Sequence, residues 1–254
     1  MEADTFIVVA DKFAEFSVND RTVTSSQLKS LLSLPHHLLP TRARLLLGQG
    51  ISDIECKAIV ALVEASDNHR QRWDIEDLRA RTERADAGLS HKRNACNTLI
   101  GSPVMVDENT FHLNLCIDQD CELMGDHQTG QHVQGMVLVE AARQAFLAVT
   151  EKHFLKGANH KSYFVINDMS TTFLGFVFPL PAHMEYRIVS KDINDRRQRF
   201  TVEVDLVQVG EVRARTNFSF TAYPEDLIAQ KEAGLAMEAV TAVRARTQPI
   251  AIAA

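Results

Sequence analysis

Three residue types able to do chemistry stand inside an otherwise apolar run: Glu140, Arg143 and Gln144 within Gly135-Met136-Val137-Leu138-Val139-Glu140-Ala141-Ala142-Arg143-Gln144-Ala145-Phe146. Helical spacing of i, i+3 and i+4 puts all three on one face. A carboxylate and a guanidinium taken out of water are costly unless they are paired or put to use. Either the pair only fixes the helix, or Glu140 is an acid–base residue and Arg143 grips an anion. An apolar surround raises a lone carboxyl's pKa towards neutrality, whereas direct pairing with Arg143 lowers it. The preceding loop contributes His127 and His132, imidazoles suited to act as bases near neutral pH. At the start of the helix, the N–H groups around Gly135 and Met136 lack intrahelical partners and can polarise a thioester carbonyl. Gly135 has no Cβ, which admits an acyl group close to the backbone. Asp126, His127 and His132 sit in a Gly-rich loop that is not preorganised for a metal ion, and none is expected.

The run from Gly135 to Gln144 resembles the central-helix signature of the A-factor biosynthesis hotdog family, the γ-butyrolactone synthases. In that family a His-x-Pro-Gly loop leads into a helix bearing Glu-Ala-Ala-Arg-Gln. The stretch is more distantly similar to the β-hydroxyacyl-carrier-protein dehydratases, where a Gly precedes Glu and Ala by the spacing of Gly135 to Glu140. His91-Lys92, ahead of Asn97-Thr98-Leu99-Ile100-Gly101, resembles the His-Lys opening of the first family strand. The resemblance implies an α+β hotdog fold, an antiparallel sheet wrapped round one long central helix. It also implies transfer of a β-ketoacyl group from acyl carrier protein or coenzyme A to the hydroxyl of a small phosphorylated acceptor. Such a reaction makes a signalling-butyrolactone precursor and calls for no cofactor. Glu140, His132 and His127 are the catalytic candidates; Arg143, Gln144, Gly135 and Met136 are the substrate contacts.

The departures are informative. The family's Asp-His-x-Pro-Gly reads here Gln131-His132-Val133-Gln134-Gly135, without the acid or the proline. Gln131 cannot stabilise an imidazolium as an aspartate does. Where the dehydratases place a histidine, nine residues before the glycine, this chain has Asp126, with His127 one residue later. Dehydratase or thioesterase chemistry is therefore the second enzymatic reading, beside a non-catalytic hotdog module that binds an acyl chain or a partner. Met136, Val139, Phe146, Phe164, Phe173 and Phe176 are the expected lining of an acyl pocket. Arg187, Lys191, Arg196, Arg197 and Arg199 are candidates for meeting an acidic carrier protein.

The chain has 254 residues, 45% of them hydrophobic and 24% charged, enough for a substantial core. A formal net charge of −6 argues against nucleic acid as a partner. No apolar run approaches the roughly 20 residues needed to cross a bilayer, and the acidic start is unlike a signal peptide. The four cysteines form no Cys-x-x-Cys pair and read as reduced thiols in a cytoplasm.

Residues 1–87 read as a segment apart: a small hairpin turning at Asn19-Asp20, a helix from Ser25, a second capped by Ser52, and a third opened by Trp73-Asp74. No role is assigned to it. His36-His37 reads as a solvated loop. Residues 88–224 form the hotdog domain. Its expected strands are 104–106, 111–117, 162–167 turning into 169–177, 184–191, 200–209 and 211–223, and its helix ends near Phe154 with Gly157 in the C′ position. Residues 225–254 give a last helix to about 246 and a tail. One repeat leaves a sheet edge uncovered, so a homodimer is expected.

Overall fold

The computed structural model describes residues 4–81, 83–125, 129–155, 162–194 and 196–247. His127, Asp126, Gly157 and the tail from Pro249 lie outside them.

The N-terminal segment is built on a parallel sheet of order β2-β1-β3-β4, formed by β1 (Asp4–Val9), β2 (Thr22–Thr24), β3 (Ala43–Leu47) and β4 (Trp73–Asp74). This corrects the expected hairpin: Ile7 pairs with Thr22 and Val9 with Thr24 in parallel. Two short 3-10 turns, Asp11–Phe13 and Phe16–Val18, carry the chain back so that β2 starts beside β1. Helices α1 (Ser25–Leu32), α2 (Asp53–Glu64), α3 (Asp67–Arg72) and α4 (Glu76–Arg79) link and flank these strands. Thr24, one residue before the expected start, caps α1 in a reciprocal box with Gln27. Ser52 caps α2 as its spacing predicts. Trp73 opens no helix. It is buried in the edge strand β4 with its ring against Phe6 at 5.8 Å, because the indole fills the N-terminal core.

The second sheet has six strands in the order β5-β6-β8-β9-β10-β7 and is antiparallel throughout. Its members are β5 (Val104–Met105), β6 (Thr110–Asn114), β7 (Ser162–Phe173), β8 (His183–Asn194), β9 (Arg197–Gln208) and β10 (Glu211–Pro224). Central helix α5 (Gly135–His153) packs against it, burying Val137, Ala141, Ala145, Phe146 and Val149. Phe146 stacks on Phe220 at 4.4 Å, and Phe200 on Phe220 at 5.3 Å. Each such ring contributes roughly 2–3 kcal/mol by leaving water. The turn expected at Asn167-Asp168 is a β-bulge inside one continuous strand. Asp168 pairs with Ser219 and Ile166 with Phe220, leaving Asn167 over to donate its amide to Thr221. Bulges bend a sheet, which lets this one curl round α5.

Side-chain hydrogen bonds join the segments that carry the two sheets. Buried Gln49 donates to Leu115 O at 3.0 Å and accepts from Ile117 N at 2.9 Å. Arg84 donates to the carbonyls of Thr98 and Cys116 and pairs with Asp118 at 3.3 Å. After β10 comes α6 (Glu225–Thr247), which touches β10 and β7 and is exposed along most of its length.

Candidate functional site

Glu140 sits in the second turn of α5 with its side chain 16% exposed, facing Lys92 on the loop ahead of β5. Its Oε1 accepts from Lys92 Nζ at 2.7 Å, Arg143 Nη2 at 2.9 Å and Gln144 Nε2 at 3.0 Å. Its Oε2 accepts from Arg143 Nε at 2.7 Å. Burial pushes this carboxyl up, but the hydrogen bonds from Arg143, Lys92 and Gln144 outweigh it and bring the pKa from 4.5 to about 2. The pairing expectation therefore holds over the raised-pKa one, and Glu140 is an anion, not a proton donor, at neutral pH.

A consequence follows for stability. The folded-state pKa lies below the unfolded value, so the contribution is fully present above pH ~5 and is lost as pH falls from 4.5 towards 2. Allowing for solvent screening of the partly exposed cations, it is about 2 kcal/mol. Urea unfolding of the wild type and Glu140→Gln at pH 7 and pH 3 checks this: the gap between them shrinks at the lower pH. An equal gap at both would show that the carboxylate gains nothing from its partners.

Gln144 turns to the protein backbone. It is fully buried, its Nε2 also donating to Asn97 O at 2.8 Å and its Oε1 accepting from Leu99 N at 2.8 Å. A polar side chain is needed inside this apolar helix because the 97–99 backbone runs beside it with groups that must be bonded. Its place among the substrate contacts passes to a positioning role: it ties the loop beyond Lys92 to the helix that carries Glu140.

A cleft of about 200 Å³ opens beside this cluster, with Lys92, Asn97 and Cys121 on one side and Met136, Val139 and Glu140 on the other. Asn97 Oδ1 accepts from Glu122 N at 2.9 Å, which holds the far wall. Burial pushes the Cys121 thiol up, so it is a poor nucleophile near neutral pH. Of the expected acyl lining, Met136 and Val139 reach the cleft; Phe146 is core and Phe164 packs against that core. Phe173 lies over Gly135, where a Cβ would meet its ring at 2.9 Å. The glycine thus makes room for an aromatic ring of the protein itself.

His132 is not among the residues lining that cleft. Its Nδ1 lies 3.1 Å from Thr129 Oγ1, and its ring rests on Phe176 at 4.8 Å. The loop carrying it is held by the N-terminal segment. Phe16 N donates to Gly130 O at 2.9 Å, and Gln131 Nε2 donates to Glu15 O at 2.8 Å. Gly130 has φ +73°, and a Cβ there would strike the Glu15 side chain at 2.7 Å. Lys12 Nζ adds a bond to Met124 O at 2.9 Å. Among the basic residues considered for a carrier protein, Arg187 pairs with Glu203 at 2.6 Å and Arg197 approaches Asp192 at 3.8 Å, both on the β8–β9 hairpin. Among the described residues, no three His, Cys, Asp or Glu side chains gather to hold a metal ion, and no helix is long and apolar enough to cross a membrane.

Lys92 and Asn97 are the site residues that spacing alone does not reveal. The sequence signal for Lys92 is the His91-Lys92 pair that resembles the family's His-Lys opening; its acidic partner sits on another element.

Among solved structures, the chain is similar to a mutant thioesterase from Pseudomonas aeruginosa, with 12% identity and a TM-score of 0.39, covering 56% of this chain and 96% of that one. A conserved protein from the same organism has 15% identity and a TM-score of 0.35, covering 48% and 86%. A protein from Thermus thermophilus has 14% identity and a TM-score of 0.34, covering 48% and 89%. No curated protein matches the sequence. The profile of the A-factor biosynthesis hotdog domain matches residues 73–224, which take in the whole second sheet, α5 and the Lys92–Glu140–Arg143 cluster. With that match over more than half its length, the chain belongs to the A-factor biosynthesis hotdog family.

Proposed function

We propose that the protein acts on an acyl thioester carried by acyl carrier protein or coenzyme A and transfers the acyl group to a small hydroxylated acceptor. The observation that carries this reading is the Lys92–Glu140–Arg143 cluster at a cleft walled by the first turns of α5. In the step, the acceptor's hydroxyl oxygen attacks the thioester carbonyl carbon, the C–S bond breaks, and the hydroxyl proton leaves with the thiol. In this reading the oxyanion is held by the first N–H groups of α5, at Gly135 and Met136. Glu140 stays an anion. It holds Lys92 and Arg143 in place, and these two cations take the anionic part of the acceptor or carrier. His132, or His127, is the candidate base. The protein works in the cytoplasm as a homodimer, in signal or secondary-metabolite synthesis.

Thermal shift with acyl-coenzyme A of increasing chain length tests the acyl part of this reading, and mass spectrometry of the products tests the transfer. Stabilisation that grows with chain length, with an acyl ester formed from a phosphorylated triol or diol, is the expected result. Free acid as the sole product would turn the reading to a thioesterase. Binding that depends on chain length without any turnover would favour an acyl-binding module, and no dependence on chain length would remove the acyl pocket.

A further inference from the structure

A cavity of about 670 Å³ opens where the N-terminal segment meets the first part of the family domain. One wall is a face of α2, formed by Asp53, Cys56, Lys57, Val60, Ala61 and Glu64. Steps of three and one keep these side chains on one side of the helix over roughly 16 Å. Leu78, Arg84, Ala85 and Ala95 belong to the rest of the lining. Cys56, Leu78 and Ala85 are buried and Val60 is half-buried, so the cavity offers an apolar guest a surface away from water. Small-molecule sites have this size, about 300–1,000 Å³, and favour junctions of this kind.

The charged residues of the lining say what the guest carries. Lys57, Arg79, Arg81 and Arg84 stand there with Asp53, Glu64 and Glu83, four cations to three acids. Arg79 pairs with Glu64 at 2.7 Å and Arg81 with Asp53 at 3.1 Å. Arg84 gives its Nη atoms to backbone carbonyls and to Asp118, which lies outside the lining. Its Nε has no hydrogen-bond partner, with Asp53 Oδ1 standing off at 3.5 Å, although the side chain is only 6% exposed. Lys57 has no partner among the described residues. One end of the cavity thus holds an unused cation and an unused donor, which suit a single carboxylate. We infer that this cavity is an effector site for a monocarboxylate on an unbranched apolar chain, with the carboxylate at the Lys57 and Arg84 end and the chain along Val60, Ala61 and Leu78. The effect passes through one short 3-10 turn, Ala95–Asn97. Ala95 lines this cavity, while Asn97 lines the cleft at Glu140 and accepts from Gln144. A guest seated against Ala95 holds the turn, and with it Asn97. The inference is independent of the acyl-transfer reading.

Titration calorimetry of the full-length chain with octanoate tests the site, with 1-octanol as the uncharged control. Octanoate is expected to saturate one site, and octanol to bind at least about tenfold more weakly. Ala61→Trp takes up room in the cavity and Lys57→Glu reverses its free cation; both positions are exposed, so the fold tolerates the changes. Each is expected to weaken octanoate binding by about tenfold or more. Hydrogen exchange over residues 95–99, read by mass spectrometry with no acyl thioester present, is expected to slow under saturating octanoate in the wild type and to stay unchanged in both variants. No saturable octanoate binding, or octanol as tight as octanoate, would overturn the inference. Unchanged affinity in both variants would do so as well, since octanoate inside the Glu140 cleft predicts that pattern. Binding that leaves exchange over 95–99 unaltered would overturn the effector role.

Discussion

A Gln144→Leu chain loses about 3 kcal/mol of folding stability or more, although leucine matches the side chain in size and suits the apolar surround. The loss comes from what the amide leaves behind. Leu99 N and Asn97 O, both next to fully buried backbone, give up bonds of 2.8 Å each, and Glu140 gives up one of its donors. An unsatisfied buried peptide group costs about 1–3 kcal/mol, so two of them outweigh the gain from a more apolar side chain. Urea denaturation at pH 7 measures it directly. A loss below 1 kcal/mol would mean that the 97–99 loop has other partners within reach. The same variant lets the loop drift away from α5, so Lys92, which shares that loop region, is expected to lose its hold on Glu140.

Acyl turnover by Glu140→Gln falls by ~10² or more on the proposed reading, because the anion that orders Lys92 and Arg143 is gone. Folding survives. The amide keeps the shape and one acceptor oxygen, and its two cations are partly exposed to water, so a stability loss of about 1–2 kcal/mol is expected. Activity and stability thus separate, whereas a merely structural pair predicts turnover that follows the folded fraction. The pH–rate profile adds a second discriminator. A carboxyl with a pKa of about 2 cannot produce an ascending limb between pH 5 and 7. A limb in that range therefore comes from a group other than Glu140. Full turnover by Glu140→Gln on the true substrate would leave Glu140 as scaffold only.

The hotdog half was legible because its signals are long. Helix α5 shows a mostly apolar run from Met136 to Val149 opened by a glycine, and β9 and β10 alternate for a dozen residues or more on each side of Gly210. The N-terminal sheet was not legible. β2 and β4 are three and two residues long, too short for any period to register, and the parallel pairing depends on crossover turns. In the site, Glu140 and Arg143 were readable as neighbours on one helix, since three residues of spacing fix their meeting. Whether burial or pairing decides the carboxyl's pKa was open, because the answer rests first on Arg143 turning back onto Glu140 and then on Lys92, a residue whose approach only the fold supplies. Gln144 announced itself as polar in an apolar run, but its bonds go to backbone, which has no side-chain signature.

The grip of Glu15 and Phe16 on Gly130 and Gln131 makes the N-terminal sheet a thermodynamic partner of the loop that leads into α5. Linkage is reciprocal: whatever free energy a bound ligand gains by remodelling that loop is matched, to the same factor, by a change in how firmly residues 12–18 stay docked. A segment with no chemistry of its own can then set the affinity of a site it does not line. Its sequence can be tuned to adjust that affinity while the Lys92–Glu140–Arg143 cluster is left untouched.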